Sequence, residues 1–354
     1  MKYLSLFTGI GGFEVAIHKV FPDAECVGYS EIETNAKKVY EHHYPNHKNL
    51  GDITKISDEQ IKNLINENGC DLVVGGFPCK NLTSVARLNR NGDSSGLKGS
   101  QSKLFYELIR ILKVVVSVNP EINFVIENNA SMNMKSRKII TDTITDLYHS
   151  NVYMTKIDSA LFGVQTRKRL FWTNFKVPLD DTECIQTWED VLDDKESVKE
   201  WVLSRGYISY FNKIYECKRL RKTKICVPKG EYYKFDILQE DAQYSRWDLG
   251  FISDTMSTQL YTPYPLGKAR PVLSSAGGNN MVIDRRFGPK GSFLPREFTS
   301  SEKEKLFGYP VGYTDQLSSK TQKTKVLGNT VVVPVITHIM GYLLEHLCDV
   351  ACFL

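Results

Sequence analysis

The sequence predicts an α/β protein with a doubly wound parallel sheet and a second, smaller domain inserted into it. Three observations carry this. Short apolar runs alternate with stretches whose apolar residues recur at helical spacing, a glycine-rich turn closes the first run, and the alternation stops near Lys176 and resumes near Pro295.

The elements follow in order. Leu4 to Thr8 (LSLFT) is a short apolar run closed by glycines, and the following FEVAIHKVF puts Phe13, Ala16, Ile17 and Val20 on one helical face, giving a strand, turn and helix. Further buried strands are expected at CVGYS near Cys26, DLVVGG at Asp71 and FVIEN at Phe124. Between the last two, SKLFYELIRILKVVVSV carries Leu104, Phe105, Leu108, Leu112 and Val115 at helical spacing. YMTKIDSALFG and LFWTNF read as a closing antiparallel pair. From about Lys176 to about Pro295 the chain turns to Tyr, Lys, Gly and short irregular runs, the pattern of a smaller domain. The α/β pattern then returns, ending in VVVPVITHIMGYLLEHL. There Pro334 suits a first helical turn, and Ile336, Ile339, Met340, Leu343 and Leu347 form an apolar stripe. The expected division is a core domain over 1–175, an inserted domain over 176–295 and a return to the core over 296–354.

Composition bounds the function. A chain of 354 residues that is 42% hydrophobic can bury a sizeable core, and its length suits two domains. There is no run of about 18 apolar residues, and Met1-Lys2-Tyr3 leads straight into LSLFTGIGG without a signal-peptide layout. The expectation is a cytoplasmic protein without a membrane role, associated with the nucleoid in a bacterium or phage host and nuclear in a eukaryote. Eight cysteines are scattered singly, without the spacing of a zinc site or the density of a disulfide scaffold, so reduced thiols and no metal site are expected. The net charge of +4 is small. Its distribution says more: Lys218, Arg219, Arg221, Lys222 and Lys224 share CKRLRKTK, and Arg167, Lys168 and Arg169 share QTRKRL. Such runs suit phosphate contacts and equally suit a solvated face.

Six segments carry chemistry. FTGIGG (Phe7 to Gly12) follows a strand and opens a helix, where glycines let the backbone approach a nucleotide-like ligand. Counting a dinucleotide-binding GxGxxG from Gly9 and Gly11 puts Glu14 at the third glycine, which disfavours a nicotinamide cofactor. Glu31 in GYSEIE and Asp52 in GDIT end later strands; they can accept from ribose hydroxyls and an adenine amino group, or simply cap a turn. GGFPCKNLTS puts Cys79 past a buried strand and a proline, at the strand end where active sites of open α/β sheets gather and a thiolate can form. IENNAS brings Glu127 to the neighbouring strand end, where a carboxylic acid can protonate a ring nitrogen. QTRKRLFW places Arg167 and Arg169 at alternate positions of an extended segment, projecting to one side.

FTGIGG, GDIT, GGFPC, IENN, QTRKR, LPREFTSSEKEKLFGYP and LGNTVVVPV, in that order, resemble the motif series of the DNA cytosine-5 methyltransferases, on both flanks of the chain. GGFPCKNLTSVARL through KLFYELIRIL and LFGYPVGYTD also resemble the animal de novo branch, while GNTVVVPV and the inserted domain are closer to the bacterial and phage form. The resemblance implies a Rossmann-like, S-adenosyl-methionine-dependent methyltransferase core with an inserted target-recognition domain. It implies S-adenosyl-L-methionine as cofactor, leaving S-adenosyl-L-homocysteine as product. Phe7, Thr8, Gly9, Ile10, Gly11 and Gly12 would line the cofactor site, with Glu31 and Ile32 at the ribose and Asp52 and Ile53 at the adenine. Phe77, Pro78, Leu104, Asn329 and Thr330 would complete it.

By the same resemblance Cys79 would be the nucleophile. Glu127 would bind the flipped cytosine at ring nitrogen 3 and the amino group, and Arg169 would hold its carbonyl oxygen. Arg167 would order the catalytic loop and its phosphate contacts. One departure stands out: Lys80 occupies the position after the nucleophile where the family has Gln. The implied partner is double-stranded DNA, with a separate restriction endonuclease in a restriction-modification pair, and the bacterial form implies a monomer. Arg246, Trp247, Gln259, Tyr261 and the basic run at Lys218 are candidate DNA contacts in the inserted domain. Rival readings are an RNA cytosine methyltransferase, whose CFT signature is missing here, and a non-catalytic regulatory homologue, which would have lost the Cys, the Glu or the glycines. An amino-methyltransferase would carry an Asp/Asn-Pro-Pro-aromatic motif, which this sequence lacks.

Overall fold

The computed structural model describes residues 1–78, 104–148, 151–179, 182–198, 223–226, 232–235, 251–253, 259–261, 268–269, 271–274, 281–284 and 294–352, and structural statements below concern these residues. The chain divides into two compact units: Met1–Asp158 with Lys168–Asp181 and Thr330–Leu354, and Ser159–Arg167 with Thr182–Asn329.

The first unit is the α/β core. Strands β1 (Lys2–Leu6), β2 (Glu25–Ser30), β3 (Leu72–Gly76), β4 (Asn123–Asn129), β5 (Tyr153–Asp158) and β6 (Lys168–Thr173) form one sheet in the order β2-β1-β3-β4-β6-β5. The first four run parallel, whereas β6 is antiparallel to both β4 and β5. The closing antiparallel pair is thus where the sequence pattern puts it. β1 lies between β2 and β3, so the strand order reverses there and a crevice opens beyond the carboxyl ends of β1 and β3.

Helices α1 (Gly12–Val20), α2 (Thr34–His43), α3 (Asp58–Asn68), α4 (Leu104–Val118) and α5 (Met134–Tyr148) connect the strands. Leu108, Ile111, Leu112 and Val115 of α4 are fully buried with Phe124 and Ile126 of β4 and Leu4 and Leu6 of β1. Each such side chain contributes about 1.5–3 kcal/mol by leaving water. Start signals are local: Ser57 caps α3 and Gln60 returns a bond to the Ser57 N–H, a reciprocal capping box. The last element of this unit, a helix over Val333–Cys352, packs against α1 and buries Ile336, Ile339, Met340 and Leu343 completely. An 18-residue window there is apolar enough to cross a membrane by composition, but 61% of it is buried in the protein, as a core helix must be.

In the second unit, the two-stranded sheet pairs β7 (Thr223–Cys226) with β8 (Tyr232–Phe235). A four-stranded antiparallel sheet has the order β10 (Gln259–Tyr261), β9 (Phe251–Ser253), β11 (Met281–Asp284), β12 (Leu294–Glu297). Helices α6 (Ser300–Phe307) and α7 (Lys320–Gly328) belong to this unit too, and α8 is the Val333–Cys352 helix of the first. Residues 296–329, which the sequence pattern groups with the core, join the second unit through buried polar ties. Gln165 Nε2 donates to the Leu306 carbonyl at 2.8 Å, and the buried Glu302 carboxylate accepts from the Asp193 N–H at 3.0 Å.

Candidate active site

The glycine turn is built by left-handed backbone. Gly9 and Gly11 adopt φ of 61° and 91°, and Phe7, which is not a glycine, is held at 56°. A bulky residue in that region is strained, and such strain persists where surrounding bonds over-determine it. Those bonds are present. Thr8 N–H and Oγ1 both donate to the Ser30 carbonyl, Gly11 N–H donates to Thr8 O, and Gly9 N–H donates to Glu31 Oε2 at 2.9 Å. A Cβ added at Gly9 would meet nothing within 4 Å, so the turn faces open space. Thr8, Ile10, Gly11 and Gly12 are buried beneath it.

Glu31 ties two loops together. Its Oε1 accepts from the Ile32 and Glu33 N–H groups at 2.8 Å each, while Oε2 serves Gly9. The carboxylate therefore shapes the crevice as well as lining it. Beside it, Ile32 leaves 64% of its surface exposed, an apolar flat next to the Glu31 carboxylate. Asp52 caps the short helix Ile53–Lys55, accepting from Thr54 N–H at 3.0 Å and Thr54 Oγ1 at 2.8 Å; those bonds hold its carboxyl below the usual range.

The other residues expected at the cofactor are placed as follows. The Ile53 side chain is buried in the core and its carbonyl accepts from Arg110 Nη2. Phe77 is also buried, its ring 5.2 Å from that of Phe105. A large apolar side chain preceding Pro78 at a strand end gains more from the core than from a polar crevice. Leu104 opens α4 half-buried on the rim of the core. Asn329 ends α7 in the second unit, and Thr330, buried, begins the last segment of the first.

The Glu127–Arg169 pair is assembled by the β4–β6 register. Glu127 pairs with Phe171 and Asn129 with Arg169, so Glu127 and Arg169 are diagonal neighbours on one face. Arg169 Nε meets Glu127 Oε1 at 2.8 Å, with 18% and 13% of the two side chains exposed. On the other side, a Cβ at Gly76 would lie 2.7 Å from Glu127 Oε2, so the glycine leaves the room that the carboxylate uses. A Cβ at Gly75 would lie 2.7 Å from the Leu6 carbonyl oxygen of β1. The two glycines ahead of Phe77 and Pro78 thus serve strand packing and carboxylate placement, contacts that a linear reading gives no means to see. Cys79 and Lys80 lie outside the described residues, as do Lys218, Arg219, Arg221, Lys222, Arg246, Trp247 and the side chains of Lys224, Gln259 and Tyr261.

Arg167 is enclosed by its own unit. It belongs to the second unit and is 5% exposed; Nη1 donates to Val272 O at 3.2 Å, Nη2 to Gly328 O at 2.9 Å, and the guanidinium lies 5.3 Å from the Phe307 ring centre. Alternation in an extended segment does not give the two arginines one task. Arg167 directs Nη1 and Nη2 to buried carbonyls of its own unit.

A glycine turn at a switch point, an acid just past the end of β2, and a carboxylate on β4 paired with a guanidinium on β6 fit the class of Rossmann-like α/β methyltransferase cores. The sequence matches the C-5 cytosine-specific DNA methylase family over residues 1–345, and the chain belongs to that family. It is 26% identical over 365 residues to the type II methyltransferase M1.ScrFI of Lactococcus lactis subsp. cremoris, spanning 98% of this chain and 78% of that one. Over 124 residues it is 39% identical to DNA (cytosine-5)-methyltransferase DRM2 of Arabidopsis thaliana, 32% of this chain and 19% of the relative. Among solved structures, the Dnmt2 methyltransferase of S. pombe aligns with a TM-score of 0.62 at 15% identity over 98% of this chain and 99% of that one, a likeness of fold. S-adenosyl-L-methionine is the cofactor of this family, and the open glycine turn with the bare Ile32 flank fits it.

Proposed function

We propose that this protein methylates carbon 5 of a flipped cytosine within a specific double-stranded DNA sequence, through a covalent adduct on Cys79. The observation that carries the reading is the Glu127–Arg169 ion pair at the carboxyl end of β4, beside the Gly76-Phe77-Pro78 segment that leads into Cys79. The Gly9–Gly12 turn, Glu31, Ile32 and Asp52 would hold the cofactor, which supplies an electrophilic methyl group when bound.

Carbon 5 of cytosine is a weak nucleophile, and covalent catalysis removes that barrier. The Cys79 thiolate adds to carbon 6, forming an S–C bond and leaving electron density at carbon 5. Glu127 holds ring nitrogen 3 and the amino group while Arg169 neutralises charge growing on the carbonyl oxygen. After carbon 5 takes the methyl group, loss of its proton restores the double bond and expels the thiolate. Inside a duplex these atoms are out of reach, so the base must leave the stack at a cost of a few kcal/mol. Residues 176–295 act as the target-recognition domain, reading base edges from the major groove. The protein works as a cytoplasmic monomer, in restriction-modification beside a separate endonuclease or in self-protection; the type II methyltransferases among its relatives support the restriction-modification reading.

The test is transfer of labelled methyl from S-adenosyl-L-methionine to unmethylated genomic DNA, followed by bisulfite sequencing. Conversion-resistant cytosines in one short context are expected, with turnover abolished in Cys79→Ser while cofactor binding persists. Normal turnover in that variant would overturn the mechanism, and transfer to RNA alone would overturn the substrate.

A further inference from the structure

Glu14 is a buried acid that the methyl transfer does not use. It lies two residues past Gly12, in the first turn of α1, with none of its surface exposed. The Tyr40 hydroxyl of α2 donates to its Oε1 at 3.2 Å and lies 3.0 Å from His47 Nδ1. The other oxygen, Oε2, and the Ser5 Oγ of β1 are buried polar atoms without a hydrogen-bond partner. The remaining groups turned toward Glu14 are neutral: Tyr3 from β1 and Cys26 from β2 are held in their protonated forms by burial, as is Tyr40. His18, one turn along α1, rests on Tyr3 and Tyr44, and burial lowers the His47 pKa from 6.5 to about 4. From α8, which packs on α1, Glu345 and Asp349 face water, His338 meets the Pro178 carbonyl and His346 stacks on Phe175. No basic side chain among the described residues pairs with Glu14, and desolvation lifts its pKa from 4.5 to about 7.

The position of this acid gives it a part in ligand binding. The crevice has two walls, the glycine turn that opens α1 and the Glu31–Ile32 segment that leads into α2. Gly9 N–H to Glu31 Oε2 ties the walls through the loops, and Tyr40 to Glu14 ties them through the helices. A buried carboxylate without a cation is relieved by admitting water. The strands beneath are fixed in the sheet ladder, so water enters by α1 moving off α2, which widens the crevice. A ligand that bridges the glycine turn and the Glu31 segment holds the same two helices together and opposes that opening.

We propose that binding of S-adenosyl-L-methionine is coupled to proton uptake by Glu14: the neutral acid keeps α1 closed on α2, ionisation opens the crevice, and the cofactor selects the closed form. The sign follows from linkage. Ionised Glu14 must regain its proton when the ligand binds, so affinity is full while the acid is neutral and falls as pH rises past its ionisation, by up to about tenfold per pH unit. A purely structural Glu14 would change the folded fraction and leave the affinity of folded molecules without this dependence.

The probe is S-adenosyl-L-homocysteine, which has no sulfonium charge and no methyl group to transfer. It is titrated calorimetrically onto the whole protein, Glu14→Gln and Ser5→Ala from pH 6 to pH 8.5, at a temperature where circular dichroism reports each fully folded. The ligand's own amino group titrates alike with every protein, so ratios of dissociation constants are compared. Between pH 6.5 and pH 8.5 the constant for the unmodified protein, relative to Glu14→Gln, should rise roughly tenfold or more. At pH 8, titrations in phosphate and in Tris, whose heats of ionisation differ, should show the unmodified protein taking up roughly one proton more per ligand than Glu14→Gln. Ser5→Ala loses a hydroxyl that favours the carboxylate, so its weakening should set in at higher pH, a comparison that needs no change at position 14. A ratio flat in pH, equal proton uptake in the two proteins, or a Ser5→Ala profile that superimposes on the unmodified one would overturn the inference.

Discussion

Replacing Glu14 by Gln should make stability far less sensitive to pH. Glu14 sits in the first turn of α1, fully buried, with the Tyr40 hydroxyl donating to Oε1 at 3.2 Å. The helix N-terminus and the Ser5 and Tyr40 hydroxyls favour the carboxylate, but desolvation outweighs them and lifts its pKa from 4.5 to about 7. The folded state thus keeps a proton that the unfolded chain releases. By linkage, the stability this group contributes is complete below about pH 4.5 and falls as pH rises to about 7, above which the loss is constant. At about 1.4 kcal/mol per unit, the full loss is about 3 kcal/mol.

Glutamine is a neutral isostere that does not titrate. Urea unfolding of both proteins at pH 5 and pH 8 measures the effect: the variant should gain about 2–3 kcal/mol on the unmodified protein between the two pH values. His47 titrates in the opposite sense, since burial lowers it from 6.5 to about 4 and stability is lost as pH falls through that window. It is present in both proteins, and because the Tyr40 hydroxyl bonds both groups, the comparison is repeated in a His47→Gln background. Parallel stability curves would refute the assignment of a neutral buried acid.

Two other substitutions separate placement from packing. Arg167→Ala removes the donors to Val272 O and Gly328 O, and should cost about 2–5 kcal/mol in urea unfolding, since buried carbonyls lose their partners. The salt dependence of DNA affinity should not change, whereas loss of a phosphate contact would lower its slope by about one. Gly76→Ala should push Glu127 off its site and reduce methyl transfer roughly 10- to 100-fold with cofactor affinity retained. Gly75→Ala instead collides with the β1 backbone and should lose about 1–3 kcal/mol of stability, read as a lowered melting temperature.

What the sequence discloses is what periodicity and local chemistry encode. Apolar runs find the strands because a parallel sheet covered on both faces needs continuous apolar segments. Gly9 and Gly11 announce a turn that only left-handed backbone can make, yet Phe7 shares that conformation and gives no sign of it. Glu14, read against a missing third glycine, proves to be a buried acid held by Tyr40 across 26 residues of sequence. Glu127 and Arg169 are legible as residue types at strand ends; their meeting depends on a register that only the folded sheet sets. The partners of Arg167 lie 105 and 161 residues away, and Asn128 reaches a carbonyl 51 residues upstream. Such contacts leave no periodic trace.

The packing of α8 on α1 has a consequence for how this protein comes to life on the ribosome. α1 opens at the glycine turn, and the helix that covers its far side is contributed by Thr330–Leu354. More than three hundred residues must be synthesised between the two. A nascent chain can pair β1, β2 and β3 early, but α1 stays uncovered until that late segment emerges, so long-range closure is deferred. Methylating competence should therefore switch on late and all at once during synthesis. For the same reason, separately expressed fragments divided in the second unit should regain activity only when both are present, the late fragment completing the fold of the early one.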